Sequence, residues 1–312
     1  GSIKNRIELQ KTADELYYMV PDIQALTDNS DNPSKVSENV IEVILDNMAC
    51  GVDPKKTTYF IQSQIPEIAE MTVIFLNLVT LARLKRNPTV KSEMKQKGFG
   101  EDVPAGFLSY PVSQAADMLF LNSNIIPVGD DQLPQIEQAN EIVRKFNSIY
   151  GEYFTELKPV LSEIKRLVGI DGQAKASKSL NNAIYLSDED DVIAKKVMSM
   201  YTDPTHIKVE DPGKVEGNVV FSYLDIFDDR KSEIDELKKQ YRKGGLGDVV
   251  LKKRLIQVLQ DLITPIRERR LELEKDKKAI LKIVQKGTEK VQKQAKINMD
   301  NMKSHMKIDY FE

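Results

Sequence analysis

The feature that most constrains this chain is the alternation, in its first half, of short apolar runs with amphipathic stretches. "ELYYMVP" (15–21) and "TTYFI" (57–61) are rich in aromatic and β-branched residues and flanked by turn residues, as buried strands are. A helical pattern follows each. Asn32 and Pro33 supply an N-cap and a first-turn proline, and Val36, Val40, Val43, Ile44 and Met48 then recur at steps of about three to four, ending near Gly51. A second helix is predicted over about Glu67 to Leu84. "NIIPVGDDQLPQIEQANEIVRKFN" repeats the unit, with a strand from Ile125, a turn at Gly129 and a helix to about Phe146. This alternation predicts an α/β class with a Rossmann-like, doubly wound parallel sheet, whose ligands sit at the carboxyl ends of the strands.

After about Tyr201 the strand patterns stop. Leu251, Leu255, Val258, Leu259, Leu262 and Ile266 trace one apolar helix face behind a turn marked by Gly244, Gly245 and Gly247. The reading therefore places an α/β domain at 1–200 and an all-helical domain at 201–312, whose last helices can pack back on the first. Charge is divided along the chain too. Its 45 Lys plus Arg against 48 Asp plus Glu leave a net of -3, but residues 231–312 hold 21 against 13 and residues 1–230 hold 24 against 35. A basic body follows an acidic one, so overall acidity does not exclude a nucleic-acid partner. Lys275, Lys278, Lys282, Lys286, Lys290, Lys293 and Lys296 form a ridge on the last helix, which is either a solvated face or a surface that tracks phosphates.

Other classes drop out quickly. Apolar runs such as "MTVIFLNLVTLA" are too short to span a bilayer, and no basic and apolar leader opens the chain. The single Cys50 has no internal disulfide partner and reads as a buried thiol, which suits a reducing cytoplasm. The chain begins Gly1-Ser2 rather than with Met, a pair that reads as a cloning remnant.

Three segments carry candidate chemistry. In "YPVSQAADMLFL" Pro111 is predicted to open a helix, and Tyr110, Gln114 and Asp117 fall at steps of four and three on an otherwise apolar segment. That polar line either meets solvent or gives Asp117 a paired donor. In "IIPVGDDQ" Gly129 permits close ligand approach, and a carboxylate after a parallel strand can accept from a ribose. "GIDGQAKASKSLNNAIYLSDEDD" places Lys175 and Lys178 three apart in a turn-rich segment, as a solvated loop or as cations aimed at a ligand.

Six ordered blocks, "TADELYYMVPDIQALTDN", "YFIQSQIPEIAE", "AGFLSYPVSQAADMLFLNSNIIPVGDDQ", "DGQAKASKSLNNAI", "KKVMSMYTDP" and "LITPIRERR", together resemble bacterial tryptophanyl-tRNA synthetases, a class I aminoacyl-tRNA synthetase family. "AKASKS" is similar to the family's KMSKS loop, with Ala176 where methionine is commonest. Gln24 in "DIQALT" stands where many members carry histidine.

The resemblance implies a tryptophan–tRNA ligase that uses ATP as substrate with Mg²⁺, binds tRNA(Trp) through its basic helical domain, and works as a cytoplasmic homodimer without a membrane partner. It assigns catalysis to Lys175, Ser177 and Lys178, and tryptophan binding to Tyr110, Gln114, Asp117 and Gln132. ATP falls to Gly129, Asp131, Lys91, Lys175, Ser177 and Lys178, and no protein metal site is implied. Two rivals remain: a tyrosyl-tRNA synthetase-like enzyme, and a noncatalytic tRNA-binding fragment. The second arises because the family's HIGH-like motif would lie just before "GSIKNRIELQ". The reading accordingly expects a further strand and glycine turn ahead of Gly1 in an intact form, and little adenylate formation without them.

Overall fold

In the computed structural model, which describes residues 2–27, 29, 31–100, 102–162, 167–173, 176–177 and 180–311, strands form at the three segments named above. Helix α1 (Ser2–Leu9) leads to β1 (Leu16–Val20), a short α2 (Asp22–Ala25) and α3 (Pro33–Ala49). The Asn32 side chain accepts the Lys35 N–H and Pro33 occupies the first turn, so α3 starts as its capping signal predicts. Then come β2 (Thr57–Ile61), a 3-10 turn over Gln62–Gln64, and α4 (Pro66–Leu76). The single helix predicted over 67–84 is in fact two. Thr80 accepts the Arg83 N–H at 3.2 Å and starts α5 (Leu81–Arg86), because a threonine that caps a new first turn competes with continuation of the old helix.

Helix α6 (Pro88–Lys97) precedes α7 (Ala105–Leu119), and Pro111 lies inside α7 rather than opening it. A proline there removes one helical donor, and its burial on the packed face offsets the loss. Next come β3 (Ile125–Val128), a 3-10 turn over Asp130–Gln132, α8 (Leu133–Tyr150) and β4 (Lys158–Leu161). Strand β4 has no clear signature in the sequence, because "KPVL" is short, mostly exposed and contains a proline. The remaining elements are α9 (Asp190–Met198), α10 (Val219–Phe227), α11 (Lys231–Lys243), α12 (Asp248–Glu274) and α13 (Lys277–Met306).

The strands pair in parallel, two by two: β1 with β2 from Leu16↔Thr57 to Val20↔Ile61, and β3 with β4 from Ile125↔Lys158 to Val128↔Leu161. The fold is α/β and Rossmann-like, with its parallel sheet divided into two pairs among the described residues. Both pairs pack on one apolar core, which Tyr17 and Met19 of β1 share with Ile126 and Val128 of β3. Helix α1 touches both. Arg6 lies 4.9 Å over the Tyr18 ring, and Asn5 Nδ2 donates to the Val160 carbonyl at 3.4 Å.

By compactness the chain divides at other points than the loss of strands suggests. One unit is Gly1–Glu163 with Glu274–Glu312, and the other is Ile164–Leu273. Core packing gives the reason. Val291, Ala295, Met299 and Met302 of α13 complete the first core, whereas Ile193 and Val197 of α9 join the second with Leu251, Leu255, Leu259 and Ile263 of α12. Leu262, predicted inward, is 43% exposed, and Ile263, four residues after Leu259, is buried in its place. Lys275 precedes α13, which begins after an Asp276 cap, while Lys278, Lys282, Lys286, Lys290, Lys293 and Lys296 are all exposed along it.

Candidate active site

Helix α7 brings the predicted polar line to one place. Its apolar residues Val112, Ala115, Ala116 and Leu119 are buried, and this packing fixes the opposite rows where Tyr110, Ser113, Gln114 and Asp117 lie. Asp117 is partly buried, and Gln62 donates to its Oδ1 from Nε2 at 2.7 Å. Burial pushes the Asp117 carboxyl up to about 7, and the Gln62 hydrogen bond acts the other way. The paired-donor reading of Asp117 therefore stands. Gln62 comes from the 3-10 turn at the carboxyl end of β2, where ligands of a parallel sheet collect. Its place just after a predicted strand was the signal that could have singled it out.

A second set of bonds orders the turn after β3. Gln114 Nε2 donates to Gln132 Oε1 at 3.0 Å, and Gln132 Nε2 donates to Asp131 Oδ2 at 3.3 Å. The Gln132 carbonyl oxygen is thus turned toward α7, and its amide nitrogen toward Asp131. A Cβ on Gly129 would meet Asp131 Oδ1 at 2.7 Å, so a side chain there would displace the carboxylate. Gln135 Nε2 donates to the Tyr110 hydroxyl at 3.4 Å. Burial raises the Tyr110 pKa, and the Glu93 carboxylate raises it further as charge and hydrogen-bond partner. The Tyr110 hydroxyl oxygen thus accepts from Gln135, with the Glu93 carboxylate as a further neighbour.

Lys91 is exposed on α6, and no hydrogen bond joins it to this cluster among the described residues. Lys175 and Lys178 lie outside the described residues. In the second unit, Ser177 donates its N–H to Asn182 Oδ1 at 2.8 Å, and Ala176 donates its N–H to the Leu167 carbonyl at 3.1 Å. Asn182 Nδ2 in turn donates to Asp171 Oδ2 at 3.1 Å. Asn182 is only 3% exposed, so it holds the Ser177 backbone from a buried position. No group of three or more His, Cys, Asp and Glu is placed to hold a metal ion among the described residues.

The sequence model of the family "tRNA synthetases class I (W and Y)" matches residues 1–264. The tryptophan–tRNA ligase of Clostridium longisporum is 54% identical over 315 residues, covering 100% of this chain and 92% of its own length. That of Streptococcus agalactiae serotype V is 52% identical over 318 residues, with coverages of 100% and 93%. Among solved structures, tryptophanyl-tRNA synthetase from Campylobacter jejuni, complexed with ADP and tryptophan, superposes with a TM-score of 0.83 at 29% identity. That match covers 98% of this chain and 94% of the other.

Proposed function

Since the chain belongs to the class I tRNA synthetases of the W and Y type, we propose here how its residues divide the work. Its function is tryptophan–tRNA ligation with ATP as the activating substrate. A tryptophan carboxylate oxygen attacks the α-phosphorus of ATP, the new O–P bond forms, and pyrophosphate leaves with the electron pair of the bond that breaks. The nucleophile is already an anion at neutral pH, so the step needs alignment and charge stabilisation rather than a general base. A hydroxyl of the terminal tRNA ribose then attacks the activated carbonyl and AMP departs.

The observation that carries the tryptophan reading is Asp117, a carboxylate in an apolar helix whose Oδ2 has no donor among the described residues. An indole N–H supplies the missing donor. Tyr110 and Gln132 offer oxygens to the substrate ammonium, and Gln114 holds Gln132 in the orientation that does so. Asp131 accepts from the ATP ribose, with Gly129 leaving room for the nucleotide. Lys91, Lys175, Ser177 and Lys178 act on the phosphates, with the lysines stabilising departing pyrophosphate. Mg²⁺ enters with ATP as part of the substrate and helps to neutralise its phosphates. The exposed lysines of α13 meet tRNA phosphates, and the active form is a cytoplasmic homodimer.

Tryptophan-dependent exchange of pyrophosphate into ATP tests the assignment, with tyrosine as the competing amino acid. Exchange driven by tryptophan and not tyrosine supports it, and the reverse preference refutes it.

A further inference from the structure

Gln62 is only 2% exposed, and both ends of its carboxamide are engaged. Oε1 accepts the backbone N–H of Gln24 at 3.2 Å, and Nε2 donates to Asp117 Oδ1 at 2.7 Å. The orientation is determined rather than arbitrary. A backbone N–H can only donate, so the amide oxygen must face Gln24 and the amide nitrogen must face Asp117. The surrounding bonds close a ring. Gln24 Nε2 donates to Ser113 Oγ at 2.7 Å, and Ser113 lies one helical turn before Asp117 on α7. Asp22 Oδ1 accepts the Ser63 N–H at 2.9 Å, tying the segment before Gln24 to the turn that bears Gln62. The turn after β2, the turn after β1 and α7 are thus locked together around one carboxylate.

We infer that Gln62 is a positioning residue for amino-acid recognition: it occupies Asp117 Oδ1 and so presents Oδ2 to the indole N–H. This rests on the reading of Asp117 as the indole acceptor. No ion-pair partner acts on Asp117 among the described residues; burial opposes its charge and the Gln62 hydrogen bond favours it. The amide therefore does two things at once. It fixes the carboxylate's rotation, and it supplies the one polar contact among the described residues that supports the ionised form.

The test compares tryptophan with 3-benzothienylalanine, in which sulfur replaces the indole N–H, by calorimetric binding to the wild type, Gln62→Met and Gln62→Glu. Loss of a hydrogen bond to a charged group predicts that Gln62→Met weakens tryptophan roughly 10- to 100-fold while the sulfur analogue changes by less than about threefold. Gln62→Glu keeps the shape but donates only when protonated, so its discrimination between the ligands falls further as pH rises. Equal losses for both ligands, or none for either, overturn the inference, since a purely structural residue would not distinguish them. Asp117→Ala separates the two levels. If it leaves the ratio of affinities unchanged, the indole assignment fails and this inference with it; if it collapses the ratio while both Gln62 variants keep it, only the role of Gln62 fails.

Discussion

Gly287 of α13 lies so close to Tyr59 of β2 that a Cβ on the glycine would sit 2.1 Å from the strand's carbonyl oxygen. The helix and strand touch backbone to backbone, and one turn of α13 is shaped to that approach. Beside it the Ile61 N–H donates to Thr288 Oγ1 at 3.4 Å, a side chain taking up a donor on the flank of β2. Farther along, Asn298 Nδ2 donates to the Phe120 carbonyl at 3.0 Å, and Tyr153 donates its hydroxyl hydrogen to the Asn298 carbonyl at 2.7 Å. Helix α13 is thereby built into the α/β unit along its length.

Gly287→Ala is therefore expected to destabilise the chain, although alanine is the better helix former. The propensity gain is about 1 kcal/mol, whereas forcing two backbones apart in a packed core typically costs about 1–3 kcal/mol. Urea unfolding should show a lower midpoint for the variant; an unchanged or higher midpoint would mean that the close approach yields freely.

Asp117 makes stability depend on pH in a stated direction. Its carboxyl titrates at about 7 in the folded chain against an ordinary 3.8, so the folded state binds that proton more tightly than the unfolded state does. The contribution is fully present below about pH 4 and is lost as pH rises through 7. Asp117→Asn removes this slope. The variant should exceed the wild type in unfolding free energy by on the order of 2–4 kcal/mol at pH 8 and approach it near pH 4. Parallel stability curves from pH 4 to 8 would contradict it.

Asn182→Ala is expected to slow adenylate formation with little change in tryptophan affinity. It removes the acceptor for the Ser177 N–H and the donor to Asp171, which loosens the loop that carries Lys175 and Lys178. Lys178→Ala should slow the same step by on the order of 10²–10³, the usual effect of deleting one charge-stabilising donor. Single-turnover kinetics distinguish this from weaker binding, and a normal chemical step in both variants would rule it out.

The lysine ridge of α13 makes a separate prediction. Lys290 is paired with Glu15 at 2.9 Å, so Lys278, Lys282 and Lys286 are the better probes. Changing all three to alanine should weaken tRNA binding and flatten its dependence on salt, by up to about 0.7–0.9 in slope for each phosphate that is no longer neutralised. Tryptophan-dependent exchange should be unaffected. Identical salt slopes for variant and wild type would return the ridge to a solvated face.

Periodicity and caps in the sequence were enough to place β1, β2, β3 and α3, because strand and helix patterns arise from neighbours within a few residues. The alignment of Tyr110, Gln114 and Asp117 on one side of α7 followed from helical spacing alone. The segment bearing Lys175, Ser177 and Lys178 was legible as a motif, through the blocks that resemble the synthetase family. Which groups meet across the chain was not legible. Gln62 and Asp117 are 55 residues apart, and Ile61 and Thr288 are 227 apart. The apolar stripe of α13 announces a buried helix, yet any apolar surface of the right width would satisfy it; its assignment to the first core depends on Gly287 fitting Tyr59 and on Val291, Ala295 and Met299 filling the space beside β2. Local pattern determines which face of an element is buried, because backbone geometry repeats every few residues; the partner of that face is decided only when the whole core closes, by shape and by the hydrogen bonds that buried polar groups must find.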